Sequence, residues 1–223
     1  MLTLYALPQS PYCAKVRAAL RFKGIAFDEV EPHGGSYQTT EFQSVFPAGS
    51  VPAIAEGDWL LHDSQAILEY LEEVQPTPSI WNADQKIRAV QRSIVHFHDS
   101  KLEPKVRELV PLAMQPDSPE RTLQIGVVKD NLYDRLYRLV RLMALEQSSS
   151  SNPLSAVDWT LPPTISIAKD VLEHLDTSLD IPTPISRWMD EMALNPLVAE
   201  EVGRVRGAIA QWLRNIVSQM NQS

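Results

Sequence analysis

The apolar residues of this 223-residue chain change their period once, near residue 80, and that change limits the fold more than any other feature. Before it, short β-prone runs alternate with helical stretches. After it, only helical spacing is found. Strands confined to the first third and helices to the rest mean two domains, the first α/β and the second all-α.

In the first third, "LTLYAL" (2–7) is β-prone, and "PYCAKVRAALRFKG" has helical spacing with Val16, Ala19, Leu20 and Phe22 among its apolar positions. "IAFDEVE" (25–31) is a second strand, and "PHGGSYQTTEFQSVFPAGS" is a polar connection with room for one short helix. "VPAIAEGDWLLHDS" reads as two strands joined at Gly57-Asp58, and "SQAILEYLEEV" as a helix with Ile67, Leu68, Leu71 and Val74 on its apolar side. The order β-α-β-(α)-β-β-α predicts a parallel pair with a right-handed crossover, then an antiparallel hairpin. Pro76 and Pro78 disfavour continued helix and mark a linker. The expected division is 1–75, a linker at 76–85, and an all-helical domain at 86–223. Helices are expected near 84–113, 118–147, 164–178, 184–194 and 197–219, with a polar, Pro-bounded loop at 148–163.

Composition excludes several classes of function. Hydrophobic content of 44% with 22% charged residues excludes global disorder. A net charge of −8, with Lys and Arg dispersed, argues against nucleic acid as a partner. The single cysteine can form neither an internal disulfide nor a metal site of its own, which fits a reducing compartment and no bound metal. No apolar run approaches the ~18 residues of a membrane span. The first ten residues lack the pattern of a secretory leader. The expectation is a cytoplasmic protein with no membrane partner.

Three short stretches carry candidate chemistry. In "SPYC", Ser10 suits the N-cap of a helix and Pro11 its first position. The same helix follows the first strand of an α/β unit, so it opens at the carboxyl end of the sheet, where ligands bind. Its free N–H groups and dipole favour an anion there, and a hydroxyl donating to a thiolate would lower that thiol's pKa. Cys13, one turn further in, is either a thiol activated by the helix start or a small buried hydrophobe. In "GSVPAI", Pro52 begins a strand, where no ladder donor is needed. Alternatively, a cis Val51-Pro52 bond presents the backbone of Val51 to a peptide-like ligand. In "HDSQAI", Asp63 and Ser64 are helix caps or readers of an amino-acid head group, Asp63 for its ammonium and Ser64 for its carboxylate.

Together, "SPYCAKVRAALRFKGIAFD", "GGSYQTTEFQSVFPAGSVPAI", "LLHDSQAILEYLEE", "PTPSIW" and "ISRWMDEMALNPLV" resemble the cytosolic glutathione transferase family, serine-type and similar to its zeta and tau classes. The resemblance runs over the whole chain, with its specific motifs in the first 75 residues. It implies a thioredoxin-like N-terminal domain, an all-α C-terminal domain, glutathione as co-substrate and a homodimer. By resemblance, Ser10 holds the glutathione thiolate, with Tyr12 and the helix N-terminus completing the site. Val51 pairs with the cysteinyl backbone before a cis Pro52, and Asp63 with Ser64 takes the γ-glutamyl group. Tyr37 and Gln38 lie near the segment that meets the glycine carboxylate. Three positions depart from the pattern. Ser50 stands where the family often has Lys or Gln. Asp63 replaces the commoner Glu. In "TISIAKD", Lys169 holds the last place of what is commonly a Ser-x-x-Asp helix cap, a loss of about 1 kcal/mol unless the register slips by one.

The resemblance also implies an electrophile pocket between the domains. "QRSIVHFHDSKLEPKVREL" offers Phe97 as a wall, and Asp99, Lys101 and Arg107 for polar groups, together with Tyr12. A solvated amphipathic helix or a subunit contact is the alternative for this stretch. His96 and His98, two apart, face different sides of a helix and make poor joint metal ligands. Trp159 and Trp188 are expected in the core. The expected activity is transfer of glutathione to an alkyl or aryl electrophile. Its rivals are glutathione-dependent isomerisation, thiol transfer through Cys13, and a non-catalytic regulatory role.

Overall fold

Four short strands form one sheet in the order β2-β1-β3-β4. They are β1 (Leu2–Tyr5), β2 (Phe27–Val30), β3 (Ala53–Glu56) and β4 (Trp59–His62) in the computed structural model, which describes residues 1–146 and 154–220. β1 runs parallel to β2 and antiparallel to β3, and β3 pairs antiparallel with β4. Gly57-Asp58 makes the expected two-residue hairpin loop, with Gly57 at φ 60°, a value that costs glycine little. The first helix, α1 (Pro11–Phe22), and α3 (Ser64–Val74) pack against each other, and a short α2 (Thr40–Val45) lies between β2 and β3 in the chain. This is the thioredoxin-like arrangement that the resemblance implied.

The chain divides into two units, Met1–Trp81 and Asn82–Ser223, so the boundary falls within the Pro-rich stretch read as a linker. Residues 75–81 are nevertheless fastened to the first unit. Lys23, at the end of α1, is buried, and its Nζ donates to Gln75 O (2.6 Å) and Pro78 O (2.9 Å) and pairs with Glu72 at 2.7 Å. Glu72 also accepts from Ser79 Oγ and from Ile80 N at 3.1 Å. Burial raises the Glu72 carboxyl, but the bonds from Lys23, Ser79 and Ile80 and the Lys23 charge outweigh it, so its pKa lies below the usual value. Three ammonium donors on three acceptors make a buried cation tolerable here.

The second unit holds helices only, among the described residues. They are α4 (Gln85–Phe97), α5 (Glu103–Arg107), α6 (Leu109–Ala113), α7 (Pro119–Met143), α8 (Ala156–His174), α9 (Thr183–Met192) and α10 (Pro196–Met220). The helix expected over 84–113 is broken. A π-helical turn, His98–Leu102, leads into α5, where Glu103 N donates to His98 O. Pro104 and Pro111 each lack the N–H that a continuous helix needs.

The larger correction concerns the loop expected at 148–163, whose residues 148–153 lie outside the described residues. From Ala156 onward it is helix, and Pro162 and Pro163 lie inside α8. Prolines read as punctuation by sequence are carried here by burial, since every residue from Trp159 to Ala168 is buried. The start of α8 also corrects the cap assigned to "TISIAKD". Ser155 is the N-cap and Asp158 the third helical residue, and Asp158 Oδ2 accepts from Ser155 N (2.7 Å) and Oγ (3.0 Å). The Ser-x-x-Asp box is therefore present earlier in the chain, and Lys169 and Asp170 are mid-helix. Asp170 instead accepts from two Arg206 donors of α10, each at 2.8 Å. Trp159 is fully buried as expected, while Trp188 is half-buried and donates to Asp158 Oδ1 at 3.3 Å.

Two stability changes follow. Ser155→Ala removes the cap and should cost about 1 kcal/mol in denaturant unfolding. Lys23→Met leaves Glu72 and two carbonyls without their cation and should cost about 3 kcal/mol. The folded Glu72 carboxyl titrates below its unfolded value, so its contribution is whole above the unfolded carboxylate range and fades as pH falls through the folded value. Wild-type protein should lose that increment on acidification, and Lys23→Met should lack it.

Candidate active site

The strand register gathers the candidate residues of the first unit at one end of the sheet. Tyr5 pairs with Val30 on one side and Ala53 on the other, and Ala53 pairs with His62, so these four form a row across the sheet. Past Tyr5 the chain reaches Ser10 and the start of α1. Just before Ala53 stand Ser50, Val51 and Pro52. Just past His62 stand Asp63, Ser64 and the start of α3. β2 leaves at the same end toward Tyr37 and Gln38. Two helix N-termini thus open where three connecting segments converge, an arrangement suited to a ligand with anionic groups.

Ser10 is the N-cap of α1, in an extended conformation (φ −85°, ψ 119°), and its Oγ accepts from Cys13 N at 3.3 Å. The hydroxyl proton is not needed for that bond. Pro11 takes the first helical position, as its missing N–H allows. Tyr12 is half-buried, with Lys15 Nζ 5.7 Å from its ring centroid.

Cys13 is fully buried. Its Sγ accepts from Leu7 N at 3.4 Å. Burial pushes the thiol up to about 11, against smaller lowering effects of the Ser10 and Leu7 bonds and the Arg17 charge. The alternative of an activated thiol at the helix start therefore loses to desolvation, which the sequence pattern does not reveal.

The Val51-Pro52 peptide is cis. Val51 and Tyr37 both pack on the cluster of Phe42, Phe46 and Ala53, with Tyr5 beside them. Tyr5 was not singled out by sequence, yet its ring makes edge contacts with His33, Phe42 and Phe46 at 5.1–5.8 Å and supports this side of the site. The signal for it was an aromatic residue ending the first strand. Gln38 is exposed and donates its N–H to Ser36 Oγ, and Ser50 is half-buried.

Asp63 is the N-cap of α3 at φ 75°, a left-handed value unusual for a non-glycine residue. Its Oδ1 accepts from Gln65 N (2.9 Å) and Ala66 N (3.0 Å). Asp63 is exposed, and Ser64, the first residue of the helix, is buried.

The remaining candidates belong to the second unit. Phe97 ends α4 and is half-buried. Asp99 is bonded to His98 Nδ1 at 2.7 Å, and Arg107 pairs with Glu103. Both polar side chains are thus engaged within their own unit, and each would have to exchange a bond to meet a substrate. Lys101 is exposed. His96 is exposed and His98 fully buried, with Nε2 2.6 Å from Thr164 Oγ1, so the two do not converge. Among the described residues no three His, Cys, Asp or Glu side chains are placed to share a metal ion, and no helix is long and apolar enough to cross a membrane.

Residues 4–79 match the family model of the glutathione S-transferase N-terminal domain. The match covers the first unit of the chain, and the likeness to glutathione S-transferases at sequence level is a likeness of that unit. Among curated proteins similar to this chain, glutathione S-transferase Z2 of Arabidopsis thaliana is 31% identical over 105 residues, 46% of this chain and 47% of that one. Maleylacetoacetate isomerase of Mus musculus is 36% identical over 105 residues, 45% of this chain and 49% of that one. The chain spans about half the length of the curated relatives it matches. Among solved structures, a glutathione S-transferase from Rhodospirillum rubrum F11 has a TM-score of 0.68 at 27% identity, over 89% of this chain and 90% of that one. A tau-class glutathione S-transferase from mango, Mangifera indica, has a TM-score of 0.74 at 17% identity, over 95% of this chain and 98% of that one, which extends the shared fold to the helical half.

The burial of Cys13 has a direct consequence. Folded protein treated with an aromatic disulfide reagent should show no thiol reaction until denaturant opens the fold. Prompt reaction of the folded protein would contradict the burial.

Proposed function

We propose that this chain is a glutathione-dependent enzyme in which Ser10 stabilises the glutathione thiolate for attack on an electrophilic carbon. The observation that carries this reading is the convergence of Ser10, cis Val51-Pro52 and Asp63-Ser64 at the sheet end where α1 and α3 begin. Glutathione presents a thiol, an ammonium and two carboxylates on a peptide backbone. Each of these finds a suitable group. The Ser10 hydroxyl accepts from Cys13 N and still holds a proton to donate, and the α1 dipole favours the same negative charge. Together they lower a thiol from about 8.5 toward neutrality. Val51, outside the β3 ladder, offers backbone groups to the cysteinyl peptide. Asp63 uses Oδ1 as a cap, and its other oxygen is assigned to the γ-glutamyl ammonium, with Ser64 on the adjacent carboxylate. Tyr37, Gln38 and Ser50 are assigned to the glycine end, and Tyr12 to the mouth of the site.

Catalysis then has two sources. The nucleophile is ionised before the electrophile arrives, and the two are held together instead of meeting by diffusion. The electrophile is assigned to the helical domain, with Phe97 as an apolar wall and Asp99 and Arg107 at its polar edge. The family likeness also supports a homodimer working in the cytoplasm.

The likeness to a mammalian isomerase favours a second reading of the same site. There the thiolate adds to a conjugated cis double bond, the carbon–carbon bond rotates, and the thiolate leaves again. Glutathione is consumed in transfer and regenerated in isomerisation, so its stoichiometry separates the two.

Ser10→Ala is the deciding variant. Conjugation of glutathione to a model aryl halide should fall about 100-fold in kcat/KM, the scale expected for losing a hydrogen bond to developing or stabilised charge. Circular dichroism should report a folded protein lacking one cap. Unchanged conjugation overturns the role of Ser10.

A further inference from the structure

The joint between β1 and α1 is closed by a ring of three hydrogen bonds. Leu7 N donates to Cys13 Sγ at 3.4 Å, Cys13 N donates to Ser10 Oγ at 3.3 Å, and Ser10 N donates to Leu7 O at 3.2 Å. Every link passes from one residue to the next and returns to the first. Ala14 N on Ser10 O, at 3.0 Å, ties the ring into the helix. Cys13 contributes both a backbone donor and a side-chain acceptor, and it is fully out of contact with solvent.

We propose that Cys13 is a positioning residue for Ser10, its amide and its sulfur fixing the Leu7–Ser10 turn so that the Ser10 hydroxyl keeps one orientation and keeps its proton for the bound thiolate. This rests on the proposed role of Ser10 and extends it.

The chemistry favours a thiol at this position. A neutral thiol is a weak acceptor. It is enough to hold the Leu7 amide, a partly buried donor that would otherwise lose its partner. It is too weak to compete with a glutathione thiolate for the Ser10 proton. Burial keeps the group in that neutral state, pushing the thiol up to about 11, well above neutral pH. An ionised Cys13 would draw the Ser10 proton inward and empty the site of its donor. The same feature that disqualifies Cys13 as a nucleophile therefore suits it to serve one.

Two variants separate positioning from packing. Cys13→Ala removes the sulfur acceptor and keeps the amide donor. Cys13→Ser restores an acceptor at the same place. In glutathione conjugation, Cys13→Ala should lower kcat/KM about fivefold at pH 6.5, and the inflection of its pH profile should move up by about half a unit or more, because a mobile hydroxyl stabilises the thiolate less. The Leu7 amide should exchange its hydrogen faster in Cys13→Ala than in wild type. Cys13→Ser should return both readouts toward wild type.

A purely structural role for Cys13 lowers thermal stability and leaves the pH inflection where it was, and that result overturns the proposal. Equal shifts in both variants overturn it as well, since the acceptor would then be irrelevant. Calorimetric titration of wild-type protein with glutathione keeps the two readings apart. Binding with an unmoved pH profile in Cys13→Ala sinks this inference alone. No binding at millimolar ligand sinks the assignment of Ser10 and this inference with it.

Discussion

The first-turn amides of a helix have no acceptor inside that helix, and the candidate site follows from how the chain satisfies them. At α1 the acceptor is Ser10 Oγ, and at α3 it is Asp63 Oδ1. Both are side chains with capacity left over. A serine hydroxyl that caps still has a proton to give, and a carboxylate that caps with one oxygen has a second. Both helices begin at the same end of the sheet because their preceding strands, β1 and β4, end in the same row of the register. Structural and chemical roles are therefore compatible at these two positions, and a ligand with a thiolate and a charged head group suits both.

Elsewhere the same requirement is met by two residues that cap one helix together. Ser155 and Asp158 cap α8 reciprocally, in the helical unit. Burial raises the Asp158 carboxyl against the bonds from Ser155 and Trp188, so part of the value of this cap is offset by desolvation. Lys23 shows the opposite balance. It is buried too, but three acceptors surround it, and its partner Glu72 is shifted toward the charged form. The difference lies in the partner: Asp158 meets neutral donors, while Glu72 meets a cation. The Lys23 anchor also explains how a segment rich in proline can belong to a domain. Its residues make no ladder or helix, yet their carbonyls and amides are bound by α1 and α3.

The two halves of the chain speak to function unequally. The first unit carries the family match and the features that suit glutathione. The helical unit shares the fold of known transferases at low identity, and a shared fold does not select a substrate. Two of its three polar candidates are already paired, Asp99 with His98 and Arg107 with Glu103. What the helical unit would bind is accordingly a property of side chains that neither motif nor fold class dictates.

Sequence alone determined the division into an α/β and an all-α part, the order of strands and helices in the first 75 residues, the Gly57-Asp58 turn and the candidates Ser10, Pro52, Asp63 and Ser64. These are legible because they depend on local physics: the period of apolar residues, capping chemistry and the φ preference of glycine. It failed where tertiary burial overrides local preference. Pro162 and Pro163 look like a loop and lie within a helix, because the buried surface of α8 outweighs the bonds they lack. That misreading hid Ser155 and Asp158 and sent the cap to Lys169. Only the tertiary structure could decide the fate of Cys13. A helix start lowers a thiol's pKa and burial raises it, and the sequence shows the first influence but not the second. Depth in the core is set by every element packed around a residue, which is why the pattern S-P-Y-C offered a candidate site and left the burial of its thiol to the fold.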